Sequence, residues 1–524
     1  MRQLLLCLTA FLILTTVYGQ TTFQKTYGGA KNDQGYSVQQ TSDGGYIMVG
    51  RFQNSNFTGD VYLIKTTTNG DTLWTKTFGG VGNDDGSSVL QTTDGGYIIA
   101  GTTMSFSPGN GEDIYLIKTN SIGDTLWTKI LGGVADDVGS SILQTSDGGF
   151  IIAGSTMNFS AGWEDVYLIK TDGNANIVWG KSFGGINGDV ASSVQQTTDG
   201  GYIIVGNTQS FGAGSYDVYL IRSDASGNSL WTKTFGGSGM DFGYSVQQTT
   251  DGGYIIAGGT YSFGAGGEDV YLIKTDGNGD TLWTKTLGGI SSDVGSAVQQ
   301  TSDGGFVIAG STSSFSAGSN DVYLIKTDGN GNSLWGKSFG GTGSDWSSQI
   351  QQTSDGGYVI SGSTWSFDPF FDIYLIKCDS NGNSGCNEGN TNTITKATTT
   401  TVTNPATQVS SGGIAKNPPT QTGTGGAVTT LCFANGVNEI EQKNIISIYP
   451  NPFSTQTTLQ TDKFFKNATL TVYNLYGQTV KQIDNLAGQT IIFHRDNLRS
   501  GLYFIRITQD NKIITADKLV ITDN

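Results

Sequence analysis

The chain has 524 residues, of which 78 are Gly, 36% are hydrophobic and 11% aromatic, and its formal net charge is −16. That composition is globular and turn-rich, which excludes a disordered chain. The charge excludes nucleic acid and anionic membranes as expected partners, because their phosphates would be repelled.

Residues 1–19 read as a secretory signal peptide. Arg2 opens the segment, LLLCLTAFLILTTV is its apolar run, and Val17-Tyr-Gly19 offers a small-residue cut site. Leu6 before Cys7 is too bulky for a lipoprotein box, and the apolar run continues past it. No later stretch is long and apolar enough to span a bilayer, so no transmembrane anchor is expected.

From residue 20 to 386 one sentence repeats. Asp-Gly-Gly recurs at Asp43, Asp94, Asp147, Asp199, Asp251, Asp303 and Asp355, at intervals of 51 to 53 residues. A fixed period of this size marks stacked or radial repeats. The fifth unit shows four strand-like runs, named A to D: Tyr244–Gln248, Tyr254–Gly258, Asp269–Lys274 and Thr281–Thr286. Each is rich in β-branched and aromatic residues and bounded by Gly, Asn or Asp. Val270-Tyr-Leu-Ile273 is apolar on both sides, as in a strand buried on both faces. The expected fold is all-β: a seven-bladed propeller of four-stranded blades.

The phase of the repeat favours closure. Strand D carries Trp74, Trp127, Trp179, Trp231, Trp283 and Trp335, but the seventh copy has Cys386 where the Trp should stand. Phe23-Gln-Lys-Thr-Tyr-Gly-Gly matches Trp-Thr-Lys-Thr-Phe-Gly-Gly in register. The N-terminal strand is therefore expected to close the last blade and remove its open edge; an open solenoid is the alternative.

Candidate chemistry falls mostly in the connections. Asp276, Asn278 and Asp280 alternate oxygen ligands in a C–D turn and are a weak Ca²⁺ candidate, against the simpler reading of an Asn-Gly hairpin. No other cofactor is expected. Gly331 to Ser338 satisfies a phosphate-loop pattern, yet it falls on a turn followed by strand D. One Asp precedes each strand A (Asp33 and its equivalents) and another opens each strand C (Asp60 and its equivalents). B–C and D–A connections share one face, so both sets crowd one rim, where they would cap backbone N–H groups. Lysines such as Lys274 and Lys285 are candidates to neutralise them.

Three Trp lie outside the strand D set. Trp163 falls in a B–C loop, Trp346 in a D–A loop and Trp365 at the start of a B–C loop, with Phe370 and Phe371 nearby. These five aromatics are a candidate ligand-binding surface for sugars or peptides, the alternative being plugs between blades. The recurrent Phe of the B–C loops, such as Phe263 and Phe315, reads as packing. The only His is His494, outside the repeats, so His-based triads and His metal sites are absent from the propeller. Carboxylate pairs could serve glycoside hydrolysis, but the copies are too alike to reveal an asymmetric site. The expected function is a non-catalytic, monomeric binding or adhesion module for glycan or peptide ligands. The alternatives are a secreted propeller enzyme acting on polysaccharide and a structural surface protein.

Beyond the signal segment, Cys378, Cys386 and Cys432 form an odd set, and a Cys378–Cys386 disulfide across the final hairpin is the expected pair. Residues 387–443 are Thr-, Asn- and Gly-rich and read as a flexible connector. Residues 444–524 alternate apolar and polar over short runs and read as a small β-sandwich.

Four ordered blocks in that last segment carry a resemblance: Tyr449-Pro450-Asn451-Pro452-Phe453, Val472 to Gly477-Gln478, Leu498 to Gly501-Leu-Tyr503, and Lys518 to Ile521. They resemble the C-terminal sorting domain of the type IX secretion system, a family found in Bacteroidota. The resemblance implies an Ig-like domain, export across the outer membrane, and the secretion machinery as partner. It also implies removal of the domain, with the cargo released or held at the surface. Residues 21–386 resemble bacterial propeller repeats, which implies a fold and no particular function.

Overall fold

The computed structural model describes residues 20–109, 111–403, 408–411, 415–416, 421–423, 427–435, 446–474, 478–509 and 512–523. Residues 1–19, expected to be a signal peptide, lie outside them. The chain divides into two compact units, Met1–Gly436 and Val437–Asn524. Among the described residues no helix is long and apolar enough to cross a membrane.

The first unit is a seven-bladed propeller of antiparallel sheets. Blade 5 is representative, with strands A Asp241–Gln248, B Tyr254–Thr260, C Asp269–Thr275 and D Thr281–Gly288. Strands B and C are buried along their whole length. This follows from their apolar runs, which sit between neighbouring blades on both faces. Strand A carries a bulge after its third residue, between Gly243 and Ser245. Gly258 faces that bulge: a Cβ there would lie 1.7 Å from the Phe242 carbonyl oxygen. Only glycine permits so close an approach.

Three recurring devices join the blades, and each explains a letter of the repeat. The strand D Trp packs edge-on against the first aromatic of the next blade's strand B, as Trp231 does on Tyr254 at 6.0 Å. The paired glutamines ending strand A form a ladder between blades. Gln300 N donates to Gln247 Oε1 at 2.5 Å, and Gln300 Oε1 accepts from Thr250 N at 2.9 Å. A strand D lysine reaches the next C–D turn, as Lys233 does to Asp280 at 3.0 Å.

The N-terminal strand closes the ring. Thr21–Gly28 pairs antiparallel with Asp372–Cys378, strand C of blade 7, and so serves as that blade's strand D. Phe23 packs on Tyr46 of blade 1 at 6.1 Å, taking the place of the missing Trp.

The segment read as a flexible connector is instead a belt. Its strands add a fifth strand to every blade in reverse order. Glu388–Asn390 lies on blade 6, Ile394–Ala397 on blade 5, Thr401–Thr403 on blade 4 and Gln408–Ser411 on blade 3. Ala415–Lys416 lies on blade 2, Gln421–Gly423 on blade 1, and Ala427–Asn435 pairs with the N-terminal strand on blade 7. Successive starts are six or seven residues apart, and seven extended residues reach about 23 Å, one blade's width of path. Thr fits this role because it is β-branched and brings a hydroxyl. Thr398 bonds Thr284 at 2.6 Å, and Thr393 bonds Tyr323 Oη at 2.6 Å.

The expected Cys378–Cys386 disulfide is not formed. The bond is Cys386–Cys432, at a sequence separation of 46, and Cys378 is a buried free thiol. Cys378 ends strand C and points into the blade 6–7 core, where burial pushes its thiol far above the usual range. Cys386 begins the belt and Cys432 lies in its last strand, so the disulfide closes the belt into a covalent hoop. Cys432→Ser is expected to cost up to about 4 kcal/mol in the chain-entropy picture. Urea unfolding of the oxidised wild type against the variant measures it.

The second unit is a five-stranded, Ig-like sheet unit comprising Ile446–Tyr449, Gln456–Tyr473, Thr479–His494, Gly501–Gln509 and Lys512–Ile521. Its core gathers Phe453, Leu459, Leu470, Phe493, Ile505 and Leu519.

Candidate functional site

The propeller's two faces differ in how their charges are used. On the face of the A–B and C–D turns, each carboxylate has a local task. Asp251 Oδ1 accepts from Gly253 N at 3.0 Å and Thr249 Oγ1 at 2.5 Å, and Lys274 Nζ lies 2.9 Å from Asp251 Oδ2. Burial alone would raise this carboxyl, but the bonds from Thr249 and Lys274 hold it at about 2. The same pairing joins Lys65 to Asp43, Lys326 to Asp303 and Lys377 to Asp355. The Asp-Gly-Gly motif is architecture.

The Asp276, Asn278 and Asp280 set closes a hairpin. Asp276 Oδ1 accepts from the backbone N–H of Asn278 at 2.8 Å and Asp280 at 2.9 Å, and Asp280 is paired with Lys233. Among the described residues, no group of three or more His, Cys, Asp or Glu is placed to hold a metal ion. The phosphate-loop lookalike is likewise structural: Lys337 Nζ donates to Asn383 Oδ1 of the next turn at 2.9 Å.

On the loop face the two aspartate sets meet in pairs at the seams between blades. Asp189 is the first residue of its strand A. Its Oδ2 accepts from Gly185 N at 2.8 Å and Ser210 Oγ at 2.7 Å. Asp165 Oδ2 accepts from Ala161 N at 2.7 Å, while its Oδ1 is buried without a partner. Gly184 separates the two carboxylates: a Cβ there would lie 2.2 Å from Asp165 Oδ1 and 2.7 Å from Asp189 Oδ2. Burial, reinforced by the charge of Asp189, raises Asp165 to about 6. At the closing seam burial raises Asp372 to about 7, with Asp368 and Asp33 adding to it. The lysines expected to neutralise these rings do not do so. Lys274 serves Asp251 and Lys285 reaches Asn332, both on the opposite face. A strand C lysine near the A–B turn end cannot reach the other end of its own strand.

The candidate aromatics occupy this loop face. Trp346 is the second residue of strand A in blade 7, Asp345–Gln352, rather than part of the loop before it. Its ring lies 4.8 Å from that of Phe371, which lies 5.5 Å from Trp365. Trp365 follows the end of strand B at Thr364 and is 51% exposed; its Nε1 donates to Pro369 O at 3.0 Å. Phe370 is 36% exposed beside them. Trp163 stands on blade 3, 70% exposed. The recurrent loop Phe residues pack inward, as Phe263 does on Tyr271 at 5.8 Å.

The strands A enclose a central cavity of about 510 Å³. Its wall carries hydroxyls at one repeat position: Tyr36, Ser87, Ser140, Ser192, Tyr244, Ser296 and Ser348. A second cavity, of about 560 Å³, opens toward the loop face and is lined by Tyr36, Asp85, Ser140, Glu164 and Ser192, among others. The adjacent Asp84–Asp85 pair is visible in the sequence and is set aside there because neighbours on a strand point opposite ways; Glu164 is not singled out by sequence reasoning. The available signal was that neither position holds an acid in most other copies.

In the second unit two of the motif blocks meet. Asn451 Nδ2 donates to Lys518 O at 2.8 Å, and Asn451 Oδ1 accepts from Val520 N at 2.8 Å. Tyr503 Oη donates to Arg499 O at 2.9 Å. Tyr449 is exposed. Pro450 and Pro452 flank Asn451 in the turn beside this bridge, and Gly501 opens the fourth strand. Gly477 lies outside the described residues.

Together these features define a class: an all-β propeller carrying an Ig-like sorting tail. Residues 447–522 match the family model described as the secretion system C-terminal sorting domain. That tail indicates secretion to the cell surface or beyond. Among curated proteins, the chain is 29% identical over 175 residues to regulatory protein FlaEY of Caulobacter vibrioides, covering 29% of this chain and 18% of that protein. Among solved structures it is similar to PorZ, a surface component of the type IX secretion system of Porphyromonas gingivalis. That likeness has 10% identity and a TM-score of 0.39, covering 94% of this chain and 60% of that one. An endo-1,5-α-L-arabinanase from Thermotoga petrophila RKU-1 aligns at 12% identity and a TM-score of 0.26, covering 69% of this chain and all of that one. The chain thus spans less than a fifth of the FlaEY length and under two thirds of the PorZ chain.

Proposed function

We propose that this protein is a non-catalytic binding or adhesion module, exported through the type IX system, whose recognition surface for glycan or peptide is the loop face. The observation that carries the reading is the Trp346, Phe371 and Trp365 cluster. These rings break the repeat, meet on one blade and leave Trp365 half exposed. Architecture needs the same residue in every copy; recognition needs the copies to differ. Most of the raised seam carboxyls do not favour catalysis, because they recur around the ring and hold backbone N–H groups, as Asp33, Asp165 and Asp189 do. The belt and the closing strand pair the outer edges of the blades, which supports a monomer.

A glycan and peptide array probed with the mature full-length chain tests this reading. Trp365→Ala is expected to weaken the ligand found by roughly tenfold, the loss of one stacked aromatic anchor, with an unchanged melting curve. Unchanged affinity would remove the patch from the account. For export, a chain ending before residue 447 is expected to stay in the periplasm while the full-length chain reaches the surface or medium. Fractionation blots compare them, and equal delivery would mean residues 447–522 are not the address.

A further inference from the structure

We propose that the loop face docks a cationic protein segment, one that presents lysine or arginine among apolar side chains. The inference rests on the reading of this face as the recognition surface and names the chemistry of its partner.

The first observation is the sorting of charge between faces. On the turn face the Asp-Gly-Gly carboxylates have their own cations, from Lys65–Asp43 at 2.9 Å to Lys377–Asp355 at 3.0 Å. On the loop face Asp85, Glu112, Asp136, Glu164, Glu268 and Asp368 stand among few cations of the described residues, one of them Lys396, which donates to Gly264 O at 3.4 Å. Arg51 lies 3.5 Å from Asp85, and Lys31 sits 4.0 Å above the Phe57 ring. Asp136, Asp85 and Glu164 all act on Glu112: after burial, their charges are what raise its carboxyl. The buried seam aspartates lie beneath the same surface. A concave, acidic surface over low-dielectric walls focuses a negative potential outward.

The second observation is apolar exposure in the same loops. Val81, Val134, Ile186 and Ile290 occupy one repeat position of the D–A loops and are 76–89% exposed, and Trp163 and Trp365 project from B–C loops. In the loops of blades 2 and 3 acid and apolar positions are therefore interspersed. The third observation is the cavity of about 560 Å³, whose wall presents Asp85 and Glu164 beside Ser87, Ser140 and Ser192. It can admit the end of a lysine or arginine side chain to two carboxylates and several hydroxyls. A neutral glycan can donate its hydroxyls to these carboxylates but gains nothing from the long-range potential, and nucleic acid or an anionic bilayer would be repelled by it.

The test uses the mature full-length chain and fluorescence anisotropy. The probe is a fluorescein-labelled dodecapeptide of six lysines, three leucines and three glycines; a matched peptide has every lysine acetylated. The lysine peptide is expected to bind at least roughly tenfold more tightly than the acetylated one, and to lose about tenfold between 50 and 500 mM salt. The variant Glu112→Gln/Asp136→Asn/Glu164→Gln is expected to lose about fivefold, and Asp224→Asn/Asp328→Asn on the opposite face to lose nothing. The salt series on the wild type decides the matter if the triple variant does not fold. Equal binding of both peptides, no salt dependence, or equal loss in the opposite-face variant would overturn the proposal. Binding of a neutral glycan through Trp365 without peptide binding would overturn it too, while leaving the loop face as the recognition surface.

Discussion

A chain lacking Thr21–Gly28 is expected to show no cooperative unfolding transition at the wild-type temperature. This strand is not a peripheral clasp. It lies inside a five-stranded sheet, between strand C of blade 7 and the last belt strand. Phe23, Gln24, Lys25, Thr26 and Tyr27 are all at most 3% exposed. Its loss opens the blade 7–1 seam, uncovers Ile373 and Leu375, and leaves the belt's end with nothing to pair. Gln24 goes with it; its Oε1 accepts from Tyr374 Oη at 2.5 Å and its Nε2 donates to Ser384 Oγ at 2.7 Å. A gentler change grades the effect. Phe23→Ala removes the ring that stands for the missing Trp and is expected to cost about 3–5 kcal/mol. Calorimetry on both variants checks this. A melting curve unchanged by the deletion would mean the ring is closed by something else.

Stability is expected to peak near pH 4 to 5 and to fall as pH rises toward 8. Two carboxyl populations set opposite limbs. Burial raises Asp33, Asp165 and Asp321 to about 6, and Asp137 and Asp372 to about 7. These groups hold protons more tightly folded than unfolded. Their contribution is full below the unfolded value of about 4 and is lost as pH rises through 6 to 7. Asp94, Asp147, Asp251 and Asp303 run the other way. Hydrogen bonds and lysines hold them at about 2, so their contribution is present above about pH 4 and lost as pH falls toward 2. Because the raised groups recur around the ring, melting at pH 5 is expected to exceed that at pH 8 by roughly 10 °C. Asp372→Asn, a neutral stand-in for the protonated carboxyl, should flatten the alkaline limb. A melting temperature that rises steadily from pH 5 to 8 would contradict the seam account.

The propeller was legible because its code is local. Repeat spacing, strand-length apolar runs and a displaced strand D give blade number and closure without any long-range information. The belt was not legible by the same means. Each of its strands is two to nine residues long and takes its order from the blades it lies on. Its one signal was a six- or seven-residue spacing, hidden within Thr-rich composition. The disulfide was missed for the same reason: Cys432 comes beside Cys386 only once the belt has gone round the ring. Among the aromatics, Trp365 could be placed from its loop, but Trp346 could not, because strand A begins at Asp345 rather than after it. The lysine partners were misplaced because sequence shows that Asp and Lys recur together and does not show which end of the blade each occupies.

Recognition confined to the loop face is the claim on which the functional account turns. Hydrogen–deuterium exchange of the mature chain, with and without the ligand drawn from the array, tests it directly. The account predicts slowed exchange in the B–C loop around Trp365–Phe371 and in the D–A loops, with the Asp-Gly-Gly turns from Asp43 to Asp355 unchanged. Protection centred on those turns, with the loops unchanged, would place recognition on the opposite face and contradict it.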